Sequence, residues 1–231
     1  MKGYFIQKFC RNNYAILIAE KIVKPLWSVL TEGKNQLKKK RIMGTRNLTM
    51  VVLNGETKIA QYGQWDGYPE GQGLTILNLL KTFDLNIFKE KVAMLRWLTD
   101  EECNQLNKTD WVKHHPYLSR DIGGKILGIV YDGKLCSTLF DKTTIELDIQ
   151  ILGLINHESF AQDSVFCEWG YVIDLDNNTF EIYKGLNKSP LKDTDRFFGP
   201  QQDGYYPISE RVRFDLSNLP SSNIFLNKCN N

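Results

Sequence analysis

The sequence predicts an α+β fold, with an antiparallel sheet from two or more hairpins and helices packed on it. Three observations predict it. The run Leu48–Leu53 and the run Thr57–Tyr62 flank Asn54-Gly55, a pair suited to the two positive-φ positions of a type I′ hairpin turn. A second alternating run, Val165–Ile173, is separated from Thr179–Lys184 by Asp174-Leu-Asp-Asn-Asn178. Between them, apolar residues recur at helical spacing. Both faces of Val165–Ile173 carry apolar residues, as in a strand covered on both sides. That pattern suits a layered sandwich.

The 231 residues are 42% hydrophobic and 24% charged, which supplies a core and argues against global disorder. Charge is uneven along the chain. Residues 1–42 hold ten Lys/Arg against two acids, and residues 43–231 hold 19 basic against 25 acidic residues. A mildly acidic body is a poor nucleic-acid surface, because phosphate binding needs concentrated Lys/Arg. Two segments are therefore expected: a basic extension, 1–42, and a single α+β domain, 43–231.

Within the extension, Tyr14–Val23 has helical character, ended by Pro25. It is too short to span a bilayer, and no clear signal-peptide pattern follows. The extension reads as a basic membrane-surface or partner-binding arm, as a propeptide, or as sequence upstream of a native start at Met43. The last is favoured by the change in composition at that point. Five cysteines, Cys10, Cys103, Cys136, Cys167 and Cys229, form no C-x-x-C pair. An odd, scattered set predicts free thiols in a reducing, cytoplasmic setting.

After the first hairpin comes Tyr62-Gly-Gln-Trp-Asp-Gly-Tyr-Pro-Glu-Gly-Gln-Gly73, the least ordinary loop in the chain. Pro69 holds Tyr68 extended, and Gly71 and Gly73 are expected to adopt unusual dihedrals. Leu74–Leu80 reads as a helix whose first N–H groups would face the loop, a weak anion-site signal. Gln64, Trp65, Asp66 and Tyr68 place an amide, an indole, a carboxylate and a phenol on one anchored loop, a candidate binding site.

Residues 86–98 read as an amphipathic helix. Thr99-Asp-Glu-Glu102 matches a capping box opening a second helix to about Asn107. His114 and His115 are adjacent and cannot face one metal from a helix, so no metal site is expected there. Ser119 or Asp121 would cap a helix containing Ile122, Ile126, Ile129 and Val130, with Gly123, Gly124 and Gly128 allowing close packing. Arg120 and Asp121 are candidates for the second half of the site. Thr144–Ile151 alternates weakly, and His157 reads as structural. The acids of Asp174–Asn178 lack the Gly and terminal Glu of a calcium loop, so they read as a turn. Residues 185–210 read as a long loop, Arg211–Leu216 as a last strand, and the remaining tail as frayed. No cofactor motif is present.

Met-Gly-Thr-Arg-Asn-Leu48 and Gln61-Tyr-Gly-Gln-Trp-Asp-Gly-Tyr-Pro-Glu-Gly-Gln-Gly73, with Leu118–Leu127 and Tyr171–Asp174, resemble an uncharacterised family of bacteria and their phages. Members open at the equivalent of Met43, and the resemblance implies no activity. The Gly44-Thr45 entry into the first hairpin also resembles the start of proteasome-type N-terminal-nucleophile hydrolases. There a freed N-terminal Thr attacks an amide carbonyl. That resemblance implies Thr45 as nucleophile; Arg46 and Asp66 are further candidates for the same pocket. It departs where those proteases carry a helper Asp and Lys, because Gln61 and Leu77 stand there.

Two functions stay open. One is a small amide-cleaving hydrolase using Thr45, Arg46 and Asp66. The other is a non-catalytic, phage- or defence-associated module in which Gln64, Trp65, Tyr68, Arg120 and Asp121 hold a small ligand or a protein partner.

Overall fold

The computed structural model describes residues 44–106, 122–133 and 152–231. The chain is α+β. Strand β1 (Asn47–Leu53) and strand β2 (Glu56–Gly63) form the first hairpin. Its turn has Asn54 at φ 57° and Gly55 at φ 72°, the two positive values that a type I′ turn requires. A π-helical turn, Pro69–Gly73, runs into α1 (Leu74–Leu80), and α2 (Leu85–Ala93) follows. Asp84 caps α2 by accepting from the N–H groups of Asn86 and Ile87.

Next come β3 (Leu95–Trp97), α3 (Asp100–Leu106) and α4 (Ile126–Tyr131), which a 3-10 turn at Gly123–Lys125 precedes. Then β4 (Leu152–Leu154) leads to a 3-10 turn, Glu158–Gln162. The second hairpin is β5 (Trp169–Asp174) and β6 (Thr179–Lys184). Finally β7 (Ser209–Asp215) and α5 (Ser222–Asn230) close the chain.

The main sheet has the order β2-β1-β5-β6-β7. It is mixed, which corrects the expected antiparallel sheet. Each hairpin is antiparallel, but β1 and β5 pair in parallel, Asn47 opposite Trp169 through Val52 opposite Asp174. Hairpin signals fix only the pairing inside each hairpin. The long connection from Gln64 to Glu168 allows a crossover, and so a parallel junction.

Both central strands are buried along their whole length. On one face, Val51, Ile59, Tyr171, Ile173, Phe180 and Ile182 pack with the helices, including Ile76, Phe88, Ile126 and Phe225. On the other, Leu48, Met50, Val52, Val172 and Tyr183 pack under Ala161, Cys167, Phe197 and Ile208. The second layer is therefore made of turns and loop rather than helices.

Several sequence expectations need correction. The helix expected over 86–98 stops at Ala93, because Leu95–Trp97 pairs in parallel with Leu152–Leu154, a long-range partner no local periodicity reports. Val165–Cys167 is a turn, not strand: both Phe166 and Cys167 donate backbone N–H to the Asp163 carbonyl. The last strand is Ser209–Asp215. The tail is not frayed. Ser221 caps α5, which buries Phe225 and Cys229 against the sheet. His157 is structural as expected, its Nδ1 lying 3.2 Å from the Ala60 carbonyl. Cys103, Cys167 and Cys229 are free thiols. The expected features at Tyr14–Val23, His114-His115, Ser119 and Thr144–Ile151 lie outside the described residues.

The capping box is present in both directions. Glu102 N–H donates to Thr99 Oγ1 (3.2 Å), and Thr99 N–H donates to Glu102 Oε2 (2.8 Å). The Arg96 guanidinium, bidentate on the same carboxylate, is the main reason the Glu102 carboxyl is held down to about 2. Thr99→Ala is expected to cost about 0.5–2 kcal/mol, read as a lower urea midpoint with an unchanged slope.

Candidate functional site

The Trp65–Tyr68 loop is a locked structure. Asp66 takes the left-handed conformation at φ 56°, the kind of unusual dihedral expected at Gly71 and Gly73. Gly71 and Gly73 do not: neither has positive φ, and Gly73 is right-handed helical. Space is what they provide. A Cβ on Gly71 would collide with the Asp66 carboxylate, and one on Gly73 would crowd the Phe225 ring at 3.0 Å. Four backbone bonds close the loop: Gly67 N–H to Thr45 O (2.9 Å), Gln72 N–H to Asp66 O (2.9 Å), and Gly71 and Gly73 N–H to Tyr68 O. The helix-entry N–H groups are spent on the loop's own carbonyls, so they make no anion site.

The buried Tyr171 hydroxyl donates to Gly67 O at 2.7 Å. Burial pushes the Tyr171 phenol well up, so it stays a donor. Tyr171→Phe is expected to cost about 1–2 kcal/mol and to speed amide exchange at Gly67 and Gln72 more than in β6. An exchange pattern unchanged in the loop would contradict this anchoring.

Thr45 is 2% exposed and Arg46 half-buried. Their backbone lies against Asp66-Gly67, since Gly67 sits 2.9 Å from the Thr45 carbonyl. The functional groups do not share one point. Asp66 turns to Gly71, and the Arg46 guanidinium lies 4.9 Å over the Phe166 ring. Gln64 accepts from the Tyr62 hydroxyl at 2.5 Å. Trp65 and Tyr68 stand 47% and 44% exposed. Arg120 and Asp121 lie outside the described residues. Beneath the loop, Asn47 Oδ1 and Thr49 Oγ1 are buried without a hydrogen-bond partner among the described residues.

The densest chemistry lies at the other hairpin. A cavity of about 590 Å³ opens over β6 and β7 on the loop-covered face of the sheet. Its centre is an Arg196 clasp. Thr179, Glu181 and Tyr183 alternate along β6 and so share one face. Glu181 Oε1 accepts from Thr179 Oγ1 (2.9 Å) and Oε2 from the Tyr183 hydroxyl (2.7 Å). Arg196 comes from the 185–208 connection. Its Nε and Nη2 donate to the two Glu181 oxygens at 3.0 and 3.2 Å, and Nη2 reaches Asp174 Oδ2 at 2.5 Å. Asp174 also accepts from the N–H groups of Asp176 and Asn177, which forms the hairpin turn. Arg213, opposite Glu181 in register, bonds Glu210 at 2.6 Å and lies 3.5 Å from Glu181.

The Asp174 and Glu181 side chains are only 3% and 1% exposed. Burial alone would raise both carboxyls. For Glu181, bonds from Arg196, Tyr183 and Thr179 outweigh it, and for Asp174 bonds from Asn177 and Arg196 do, so both sit below the usual carboxylate range. Burial likewise works against the Arg196 charge, and the two carboxylates overcome it. Burial and the bond to Glu181 both push Tyr183 up. The turn of the first hairpin is tied in too: Asp176 accepts from Asn54 and Gly55 N–H, both at 2.8 Å.

Sequence reasoning missed this site. Asp174 read as a turn residue, Glu181 as a strand residue and Arg196 as loop. One signal was available: Glu181 interrupts apolar Phe180 and Ile182 with Thr179 and Tyr183 on its own face. Nothing local pointed to Arg196. Among the described residues no group of three or more His, Cys, Asp or Glu is arranged to hold a metal, and no helix is long and apolar enough to cross a membrane. No known protein family, no curated protein and no solved structure matches the chain.

Proposed function

We propose that this protein is a non-catalytic binding module that takes a small polar molecule into the cavity over β6 and β7. One observation carries the reading: the cavity wall presents two guanidiniums, Arg196 and Arg213, held in place by buried or neighbouring carboxylates before any ligand arrives. Pre-set polar groups reduce the ordering cost of binding. The cavity volume of about 590 Å³ suits a small organic ligand. The amide-hydrolase reading draws less support, because it needs Thr45 freed from Gly44 and brought out of burial.

Thermal unfolding against a panel of small polar molecules tests the proposal. A molecule present at about a hundred times its Kd stabilises by about 2.7 kcal/mol, a rise of roughly 5–10 °C in Tm for a domain this size. Arg213 is half exposed, so Arg213→Gln should fold and should abolish most of that rise. A Tm that no panel member moves, or a rise that survives Arg213→Gln, overturns the proposal.

A further inference from the structure

We infer that the ligand is a zwitterion of the α-amino-acid kind, carrying a carboxylate and an ammonium a few ångströms apart. This rests on the cavity being a binding site, and it names the ligand class.

Arg196 uses Nε and Nη2 on Glu181 and Asp174, and Nη1 has no acceptor among the described residues. Arg213 uses Nη2 on Glu210, and its Nε and Nη1 are likewise unspent. The wall therefore keeps guanidinium donors from two directions, the groups that match a carboxylate. The acceptors divide differently. Glu181 and Asp174 each accept on both oxygens from several donors and have nothing left for a ligand. Glu210 and Asp195, also in the wall, each accept one bond from the described residues, from Arg213 and from the Lys192 N–H. They retain lone pairs for an ammonium.

Simple ions fit less well. A bare anion meets guanidiniums whose charge Asp174 and Glu181 already balance, with Glu210, Asp195 and Asp176 repelling it. A bare cation finds the deepest carboxylates saturated. A zwitterion satisfies both unspent sets at once and brings no net charge. Val52, Leu191 and Ile208 also line the cavity and give an uncharged side chain an apolar surface.

Calorimetric titration of the full chain with L-leucine, leucinamide and N-acetyl-leucine tests this, followed by the other uncharged L-amino acids. The expected result is saturable binding of at least one free amino acid with Kd near or below ~1 mM, and roughly tenfold weaker binding of its amide and N-acetyl forms. Arg213→Gln should weaken the free amino acid and the N-acetyl form. Glu210→Gln should weaken the free amino acid and the amide. Thermal melts confirm that both variants are folded. Equal affinity for the free amino acid and its blocked forms overturns the inference, as does the absence of saturable binding by every amino acid tried. If amino acids fail while another molecule gives an Arg213-dependent rise in Tm, the zwitterion inference falls and the binding module stands. If nothing binds, both fall.

Discussion

Replacing Arg196 with alanine is expected to cost about 3–5 kcal/mol, because it strands two buried carboxylates without their counter-charge. That is a large part of a typical domain's total stability of about 5–15 kcal/mol. The side chain also ties the 185–208 connection to β5 and β6, so the loss should be felt in that loop first. Arg196→Lys keeps the charge but not the fork that spans Glu181 and Asp174, and should fall between the wild type and alanine.

The pH dependence has a definite sign. Asp174 and Glu181 are held below their ordinary values in the folded state. Their contribution is therefore complete above the unfolded carboxylate range, roughly pH 4–5, and is lost as pH falls through the folded values. Wild-type stability should drop steeply on acidification. Arg196→Ala removes a main cause of the depression, so its stability should fall less and the gap between the two proteins should narrow. Urea melts at neutral and acid pH measure this. A gap that stays constant would show that the clasp is not what depresses these carboxyls.

Gly185→Ala should be the most damaging single-methyl change. Gly185 does not need positive φ; it needs room. A Cβ there would collide with the carbonyl oxygens of both Cys167 and Ser164. These are backbone atoms, fixed by Gly185 N–H to Glu168 O (2.9 Å) and Leu186 N–H to Ser164 O (2.7 Å), so they cannot swing aside. A loss of about 3 kcal/mol is expected. Gly55→Ala is the contrast. At Gly55 nothing lies within 4 Å of the new Cβ, and only the left-handed backbone at φ 72° resists it, for about 1–2 kcal/mol. If the two variants melt together, the close approach at Gly185 is wrong.

What could be read from the sequence was local. Asn54-Gly55 specified its turn through backbone conformation, and Thr99–Glu102 specified its cap through two reciprocal bonds. The second hairpin's turn was also readable, from Asp174 and the residues after it. Pairings that depend on distant partners were not. Leu95–Trp97 looks helical until Leu152–Leu154 is placed beside it. The parallel β1–β5 junction has no local signature. At the Trp65–Tyr68 loop the composition was read well as unusual, but the reason for its glycines was misassigned: Asp66 takes the strained conformation and Gly71 makes room for its carboxylate. The cavity went unseen because its key residue, Arg196, lies in an irregular connection and meets Asp174 and Glu181 only in the fold.

The most direct measurement is a backbone and arginine side-chain NMR titration with small polar molecules, mapping which signals move on saturable binding. If the cavity is the functional site, the shifts centre on Asp174–Glu181, Arg196 Nε–H and Arg213, while Trp65 and Tyr68 stay still. Saturable shifts centred instead on Trp65, Asp66 and Tyr68, with the arginines unmoved, would contradict the cavity and return the function to the loop.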